Sequence, residues 1–187
     1  LHSFLKEQPD LNWRNHELKN AMFAAVEFWL KKGVDGFRLD VAHFIMKNEQ
    51  LRDNPVNPKP DNVDYKPMGD YDSILHIYDK ADPAVHQVFR ELRRLLDRYS
   101  RTRPRYSVGE IHIFDRQKWA SYYGKGDELH MPFNFSLLIT PWKAADIGRS
   151  VDDLEAALPE GAWPNYVLGN HDEPRLAQRV LGAVRVA

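Results

Sequence analysis

The sequence predicts an α/β fold of the barrel type, present as a sector of the ring. Three observations predict it. Short apolar runs alternate with segments of helical periodicity, the pattern of parallel strands joined by crossovers. Neither Gly-rich loop of the nucleotide-binding folds, G-x-G-x-x-G or G-x-x-x-x-G-K, occurs at a strand–helix turn. The 187 residues fall short of the roughly 250 that a (β/α)8 barrel takes, so about half a barrel is expected.

The elements follow in order. Residues 15–32 read as a helix: Leu18, Met22, Ala25, Val26 and Trp29 recur at helical spacing, and Lys31-Lys32-Gly33 is a stop with basic residues in the last turn. Val34 to Leu39 reads as a short buried strand. Residues 47–72 carry Pro55, Pro58, Pro60 and Pro67 among Asn and Asp, show no periodicity, and read as a functional excursion or lid. Asp82-Pro83 opens the next helix as N-cap and first position, with Val85, Phe89, Leu92, Leu95, Leu96 and Tyr99 on its apolar face. Arg105 to Val108 is the next strand, followed by a loop and then by Leu129 to Phe135, a strand of alternating character. Ser150 with Asp153 resembles a capping box, starting a short helix that ends near Pro159. Tyr166 to Leu168 is the last strand and Pro174 to Leu181 the last helix. That makes four strands and about four helices.

Composition narrows the function classes. Hydrophobic residues at 43% and charged residues at 28% are enough for a real core. With 26 basic and 27 acidic residues the formal net charge is −1, which gives no electrostatic reason to expect a nucleic acid or an anionic membrane as partner. The chain has no cysteine, so disulfides, thiol catalysis and thiolate zinc sites are excluded. No apolar run approaches the roughly 20 residues of a membrane span. No signal peptide opens the chain, and a cytoplasmic location is the expectation. The chain begins Leu1-His2-Ser3, without an initiator methionine, as though something precedes it. Aromatic residues at 12% suit a core, and also a surface that stacks on sugar rings.

The strand ends carry the chemistry. The first ends in Arg38-Leu39-Asp40, the second in Val108-Gly109-Glu110, and the last in Asn170-His171-Asp172. Each puts a carboxylate at the C-terminal tip of a strand, and in a barrel those tips converge on the active-site face. Arg38 lies two residues before Asp40, so both side chains point to one side. A guanidinium there keeps a carboxylate ionised, as a nucleophile must be. Gly109 allows close backbone approach beside Glu110, and apolar neighbours raise a carboxyl pKa toward that of a general acid. Asp172 alone could equally cap the Pro174 helix. Three acids gathered in a neutral, aromatic-rich cleft suit glycosidic bond chemistry: one attacks, one protonates the leaving oxygen, and a third stabilises the positive charge that develops. The rival is a divalent metal site, and Arg38, a cation beside Asp40, argues against it.

Here the sequence resembles the α-amylase superfamily of retaining glycoside hydrolases. Gly36-Phe37-Arg38-Leu39-Asp40 looks like its nucleophile strand, Gly109-Glu110 like its acid/base strand end, and Asn170-His171-Asp172 like its third signature. The resemblance implies Asp40 as nucleophile, Glu110 as general acid/base and Asp172 as transition-state stabiliser, with Arg38 and His171 touching the sugar. Gln8-Pro9-Asp10-Leu11-Asn12 resembles the oligo-1,6-glucosidase branch. Asn12-Trp13-Arg14-Asn15 and the run from Glu128 to Phe135 look like α-glucosidases and trehalose synthases. Val41, after the nucleophile, resembles enzymes that prefer α-1,6 bonds and is the further substrate-binding candidate. Ala42-His43 departs from the Lys-His pair of α-amylases proper, which speaks against endo-acting, calcium-assisted activity.

By this resemblance residues 1–187 are strands four to seven of the barrel. The first strands, most of the loop domain, the eighth strand and the C-terminal β domain would lie outside. The substrate would be a short α-linked oligosaccharide, hydrolysed or transferred. No cofactor is expected, and a family-type calcium site would fall outside the chain. Alone, such a sector is expected to be inactive. A non-catalytic interaction barrel is the reading from another class.

Overall fold

Asn15 starts the first helix, α1 (His16–Lys31), by accepting the backbone N–H groups of Glu17 and Leu18 on its side-chain oxygen. Gly33, at φ +93°, turns the chain out of that helix and delivers it to β1 (Gly36–Leu39). The computed structural model describes residues 1–61 and 65–184. Its sheet has the order β1-β2-β3, with β2 at Tyr106–Gly109 and β3 at Met131–Pro132, and both pairings are parallel. A fourth rung is a single parallel bridge between Asn134 and Tyr166. Its two hydrogen bonds run from Asn134 N–H to the Asn165 carbonyl (3.0 Å) and from Val167 N–H to the Asn134 carbonyl (3.1 Å). Parallel strands laid side by side in chain order, with no reversal, are the arrangement of a sector of barrel wall. β1 and β2 sit so close that a Cβ on Gly36 would collide with the Tyr106 carbonyl oxygen.

The helix α2 (Val85–Tyr99) packs on this sheet through Val85, Val88, Phe89, Leu92, Leu95 and Leu96, all buried. Leu30 of α1 and Phe37 and Leu39 of β1 meet the same face. Each such side chain contributes about 1.5–3 kcal/mol by leaving water. At the other end Ile111, Trp119, Tyr122, Tyr123, Leu129 and Leu154 close the core. Glu128, 3% exposed, is held by Arg90 and by His86 Nδ1 of α2, each at 2.7 Å. A buried carboxylate needs such partners, and here they lock α2 to the start of the third rung.

Several expectations change. The inward stripe of α1 is Phe23, Val26 and Leu30, while Ala25 is exposed and Trp29 lies out beside Phe28. The helix is apolar on more than one side, and packing against α2 selects the stripe. The third strand is Met131–Pro132, far shorter than residues 129–135. Pro132 has no N–H for a ladder, and the Asn134 side chain accepts the Ser136 N–H (3.0 Å), opening α4 (Ser136–Ile139). The loop after the second strand contains α3 (Arg116–Ala120), capped by Asp115, and a 3-10 turn at Ser121–Tyr123. Both are too short to show periodicity. α5 (Ala144–Glu155) begins well before Ser150, which lies buried within it and does not cap it. A turn in which Lys143 N–H donates to the Pro141 carbonyl (2.7 Å) sets that start.

The last strand, expected at Tyr166–Leu168, contracts to the one bridge at Tyr166. The last helix, α6, spans Leu176–Val184. Its first turn takes the Arg175 N–H on the Gln178 side chain, so Asp172 is not its cap. The Pro-rich excursion is irregular as read, apart from a bridge between Val56 and Ile74 and a 3-10 turn at Gly69–Ser73; residues 62–64 of it lie outside the described residues. Among the described residues no helix is long and apolar enough to cross a membrane.

Candidate active site

The β1–β2 register sets Leu39 opposite Gly109, so the next residue on each strand, Asp40 and Glu110, emerges at the same end of the sheet. The Glu110 N–H continues the ladder to the Leu39 carbonyl (2.9 Å). Arg38 and Asp40 lie on one side, as strand alternation requires. The guanidinium bonds Asp40 through Nη1 and the Glu110 carboxylate through Nη2, the latter at 2.7 Å. One cation therefore spans two carboxylates. The Arg38 hydrogen bond holds the Asp40 carboxyl below the usual carboxylate range, against a smaller opposing effect of burial. The Glu110 side chain is only 12% exposed, whereas that of Asp40 is 72% exposed.

The chain leaves Asp40 under strain. Val41 sits at φ 34° and ψ 47°, left-handed backbone that a β-branched residue rarely adopts and that costs on the order of 1–3 kcal/mol. That twist turns the Val41 N–H onto Glu110 Oε2 (3.1 Å). The Ala42 N–H then donates to the Glu110 carbonyl (3.0 Å), and His43 Nδ1 meets the same oxygen at 3.3 Å. Three successive residues after Asp40 thus grip Glu110. Gly109 makes room for this, since a Cβ there would run into the Leu129 side chain.

A cleft of about 330 Å³ opens over these groups, lined by Arg38, Glu110, Phe133, Phe135, Tyr166 and His171 among others. The Arg38 guanidinium also lies 5.9 Å from the Phe133 ring centre. His171 reaches the cleft and helps lower the Asp40 pKa. Asp40 and Asp172 are both exposed and outside the lining; Asp40 is tied to Arg38, and Asp172 lies 3.3 Å from His171 Nε2. Val41 meets the site through its backbone. The excursion folds back beside the cleft: the Tyr65 ring lies edge-on to His112 (4.8 Å), which packs against Phe135 (5.1 Å). Tyr65 and Lys66 both bond the Glu173 carboxylate. Among the described residues no group of His, Asp and Glu is arranged to hold a metal ion, and Arg38 occupies the space between the two best-placed acids.

The sequence groups Arg38, Asp40, Glu110, His171 and Asp172 in one site; the structure puts Arg38, Glu110 and His171 in the cleft lining, bonds Asp40 to Arg38 at its edge, and leaves Asp172 outside. The sequence reading missed Phe133, Phe135, Tyr166, Tyr65 and Glu173 as parts of the site. The spacing of Phe133 and Phe135, two residues apart at a strand end, was the available signal. Nothing local marks Tyr65 and Glu173, which meet across more than a hundred residues.

Comparison with known proteins agrees with this architecture. The chain belongs to the α-amylase family: the family model for the alpha amylase catalytic domain matches residues 1–186. It is 37% identical to an alpha-glucosidase of Culex pipiens over 96% of its own length and 31% of that protein. It is 33% identical to the amino acid transporter heavy chain SLC3A1 of Mus musculus, over 96% of its length and 27% of that chain. Among solved structures, the alpha-glucosyl transfer enzyme XgtA superposes with a TM-score of 0.85 at 39% identity, covering 96% of this chain and 33% of that one. The chain spans about a third of the relatives it matches, and its sheet is a fragment of their barrel.

Proposed function

We propose that this chain supplies the catalytic centre of a retaining α-glycosidase acting on short α-linked glucosides, and that its rungs are strands four to seven of the barrel. Asp40 attacks the anomeric carbon while Glu110 protonates the leaving oxygen, giving a covalent glycosyl-enzyme. Glu110 then takes a proton from water, or from an acceptor hydroxyl, which displaces Asp40. The observation that carries this reading is the Arg38 guanidinium spanning Asp40 and Glu110. It keeps Asp40 ionised and sets the two carboxyls in one fork, suited to the roughly 5–5.5 Å separation of a retaining pair. His171 and Arg38 face the sugar in the cleft, and the aromatic wall of Phe133, Phe135 and Tyr166 stacks on its ring. Asp172 comes into play once substrate draws its strand end inward, stabilising the oxocarbenium charge.

Transfer to a second sugar is the alternative outcome of the same intermediate, favoured by the likeness to the glucosyl transfer enzyme. The likeness to the transporter heavy chain favours a non-catalytic barrel, but this chain carries an acid at all three strand ends and a guanidinium that joins the first two. The test is the anomeric outcome. Proton NMR during turnover of an α-glucoside by the full polypeptide carrying residues 1–187 is expected to show α-glucose first. β-Glucose first would overturn the retaining assignment, and no turnover of any α-glucoside would favour the non-catalytic barrel.

A further inference from the structure

Beneath the cleft lies a histidine that the mechanism above does not use. His43 is fully buried, in the 3-10 turn Ala42–Phe44 that follows Asp40. Its Nδ1 faces the Glu110 carbonyl oxygen at 3.3 Å. A carbonyl only accepts, so the proton must sit on Nδ1 and Nε2 must be bare. Nε2 has no hydrogen-bond partner among the described residues. An unpartnered buried polar atom costs about 1–3 kcal/mol, so a leucine of similar bulk would be the more stable choice. The carbonyl of His43 accepts the Ala81 N–H (2.7 Å) at the return of the excursion, where Ala81 itself sits at φ 54°.

Resting on the glycosidase reading, we infer that His43 is a positioning residue for the acid/base: with the Ala42 N–H it fixes the Glu110 carbonyl, and so the direction in which the Glu110 carboxyl leaves the strand. Asp40 and Glu110 come from different strands. The ladder and Arg38 bring them together, and hydrogen bonds from residues 41–43 add to their relative placement; His43 supplies the side chain among these. Burial, with Lys80, His112 and Lys47 as the charged or titratable groups around it, pushes its pKa down to about 3. The ring therefore stays neutral and keeps its single proton aimed at Glu110 throughout the working range.

The test compares His43→Leu and His43→Asn with Glu110→Gln in the full polypeptide, on 4-nitrophenyl α-glucoside and on a disaccharide. Protonation matters for the disaccharide and little for the aryl glucoside. His43→Leu is expected to lower kcat/KM on the disaccharide about 5- to 10-fold, the weight of one hydrogen bond, with the aryl glucoside within twofold and the melting temperature unchanged or raised. His43→Asn, which keeps an N–H donor, is expected to recover most of the loss. A role in folding alone would lower both substrates equally, and that result would overturn the inference, as would no loss on the disaccharide. If Glu110→Gln discriminates the substrates and His43→Leu does not, only the inference falls. If Glu110→Gln does not discriminate, the acid/base reading falls and takes the inference with it. Should the Leu variant fail to fold, 15N shifts of the His43 ring in the unaltered enzyme decide: protonated Nδ1 and bare Nε2 are required, and the other tautomer overturns the proposal.

Discussion

The two halves of the site are built differently. On one side Asp40 and Glu110 grow from adjacent strands four residues long, in register, and are joined by one guanidinium and a run of donors from residues 41–43. On the other, Asp172 follows a segment tied to the sheet by the single bridge at Tyr166. That segment is otherwise held by the Tyr65 and Lys66 contacts to Glu173 and by Arg179 on the Leu168 carbonyl. A β-ladder fixes each backbone group against its neighbour, so the side chains at its end inherit that order. A strand end with one bridge has no such frame and takes its position from loops. The difference teaches where preorganisation resides: Asp40 and Glu110, the proposed nucleophile and acid/base, are fixed by backbone, and Asp172, the proposed charge stabiliser, takes its place from loop side-chain contacts.

Variants can break this comparison. Asp40→Ala, measured in the full polypeptide, is expected to lower turnover by about 10⁴-fold or more on every substrate, because no other group can take the covalent role. Comparable turnover after this change would remove Asp40 from the mechanism. Glu110→Gln is expected to cost about 10²–10⁴-fold on disaccharides and within about tenfold on activated aryl glucosides. Equal losses on both would argue against Glu110 as the acid.

Acid sharpens the contrast, because the ladder half holds two neutral histidines. Burial lowers His43 to about 3 and His130 to about 4. His130 Nδ1 accepts the Ser107 N–H at 3.1 Å and must therefore be unprotonated to bond it. In the unfolded chain both titrate near 6.5. Below pH ~6.5 the unfolded state binds the extra protons, so stability falls by about 1.4 kcal/mol per pH unit per histidine until the folded-state pKa is reached. Thermal melts from pH 7 to 4 are expected to fall steeply, and the slope is expected to flatten in His43→Asn and His130→Asn. A pH-independent melt would mean that neither ring is buried neutral.

Smaller effects come from packing and from the loop side. Gly109→Ala would force a Cβ into Leu129 at the base of Glu110 and is expected to cost about 1–3 kcal/mol by chemical denaturation. Glu173→Gln removes the charge that Lys66 meets but keeps an acceptor for the Tyr65 hydroxyl, and is expected to change KM several-fold while shifting the melting temperature by about 2 °C or less. A loss of stability larger than that of Gly109→Ala would show that the loop side is framed as firmly as the ladder side.

What could be read in the sequence follows the same division. α1, α2 and the first two strands were legible because Val85, Phe89, Leu92 and Leu96 repeat at helical spacing and because Gly33 and Gly109 mark where the chain must turn or pack closely. Arg38 and Asp40 could be paired from strand alternation alone. The short α3, the early start of α5 at Ala144 and the contraction of the last strand to Tyr166 were not legible. Two are decided by tertiary contacts, the Trp119 indole N–H on the Phe133 carbonyl (2.8 Å) and the one-sided pairing with Asn134, and the start of α5 by a local turn at Pro141 that carries no periodicity. The grip of residues 41–43 on Glu110 was hidden for a related reason, since it depends on a left-handed Val41 that no propensity rule predicts.

The central claim is that Asp40 is the nucleophile and that Glu110, held in place beside it, is the acid/base. It is tested most directly by trapping. The full polypeptide carrying Glu110→Gln, incubated with a 2-deoxy-2-fluoro- or 5-fluoro-α-glucosyl fluoride, can form the intermediate without needing a protonated leaving group and is slow to release it. Peptide mass spectrometry is expected to find one glycosyl group, on the peptide containing Asp40 and attached to its carboxylate. A glycosyl group on Asp172, or stoichiometric fluoride release with no covalent adduct, would contradict the account.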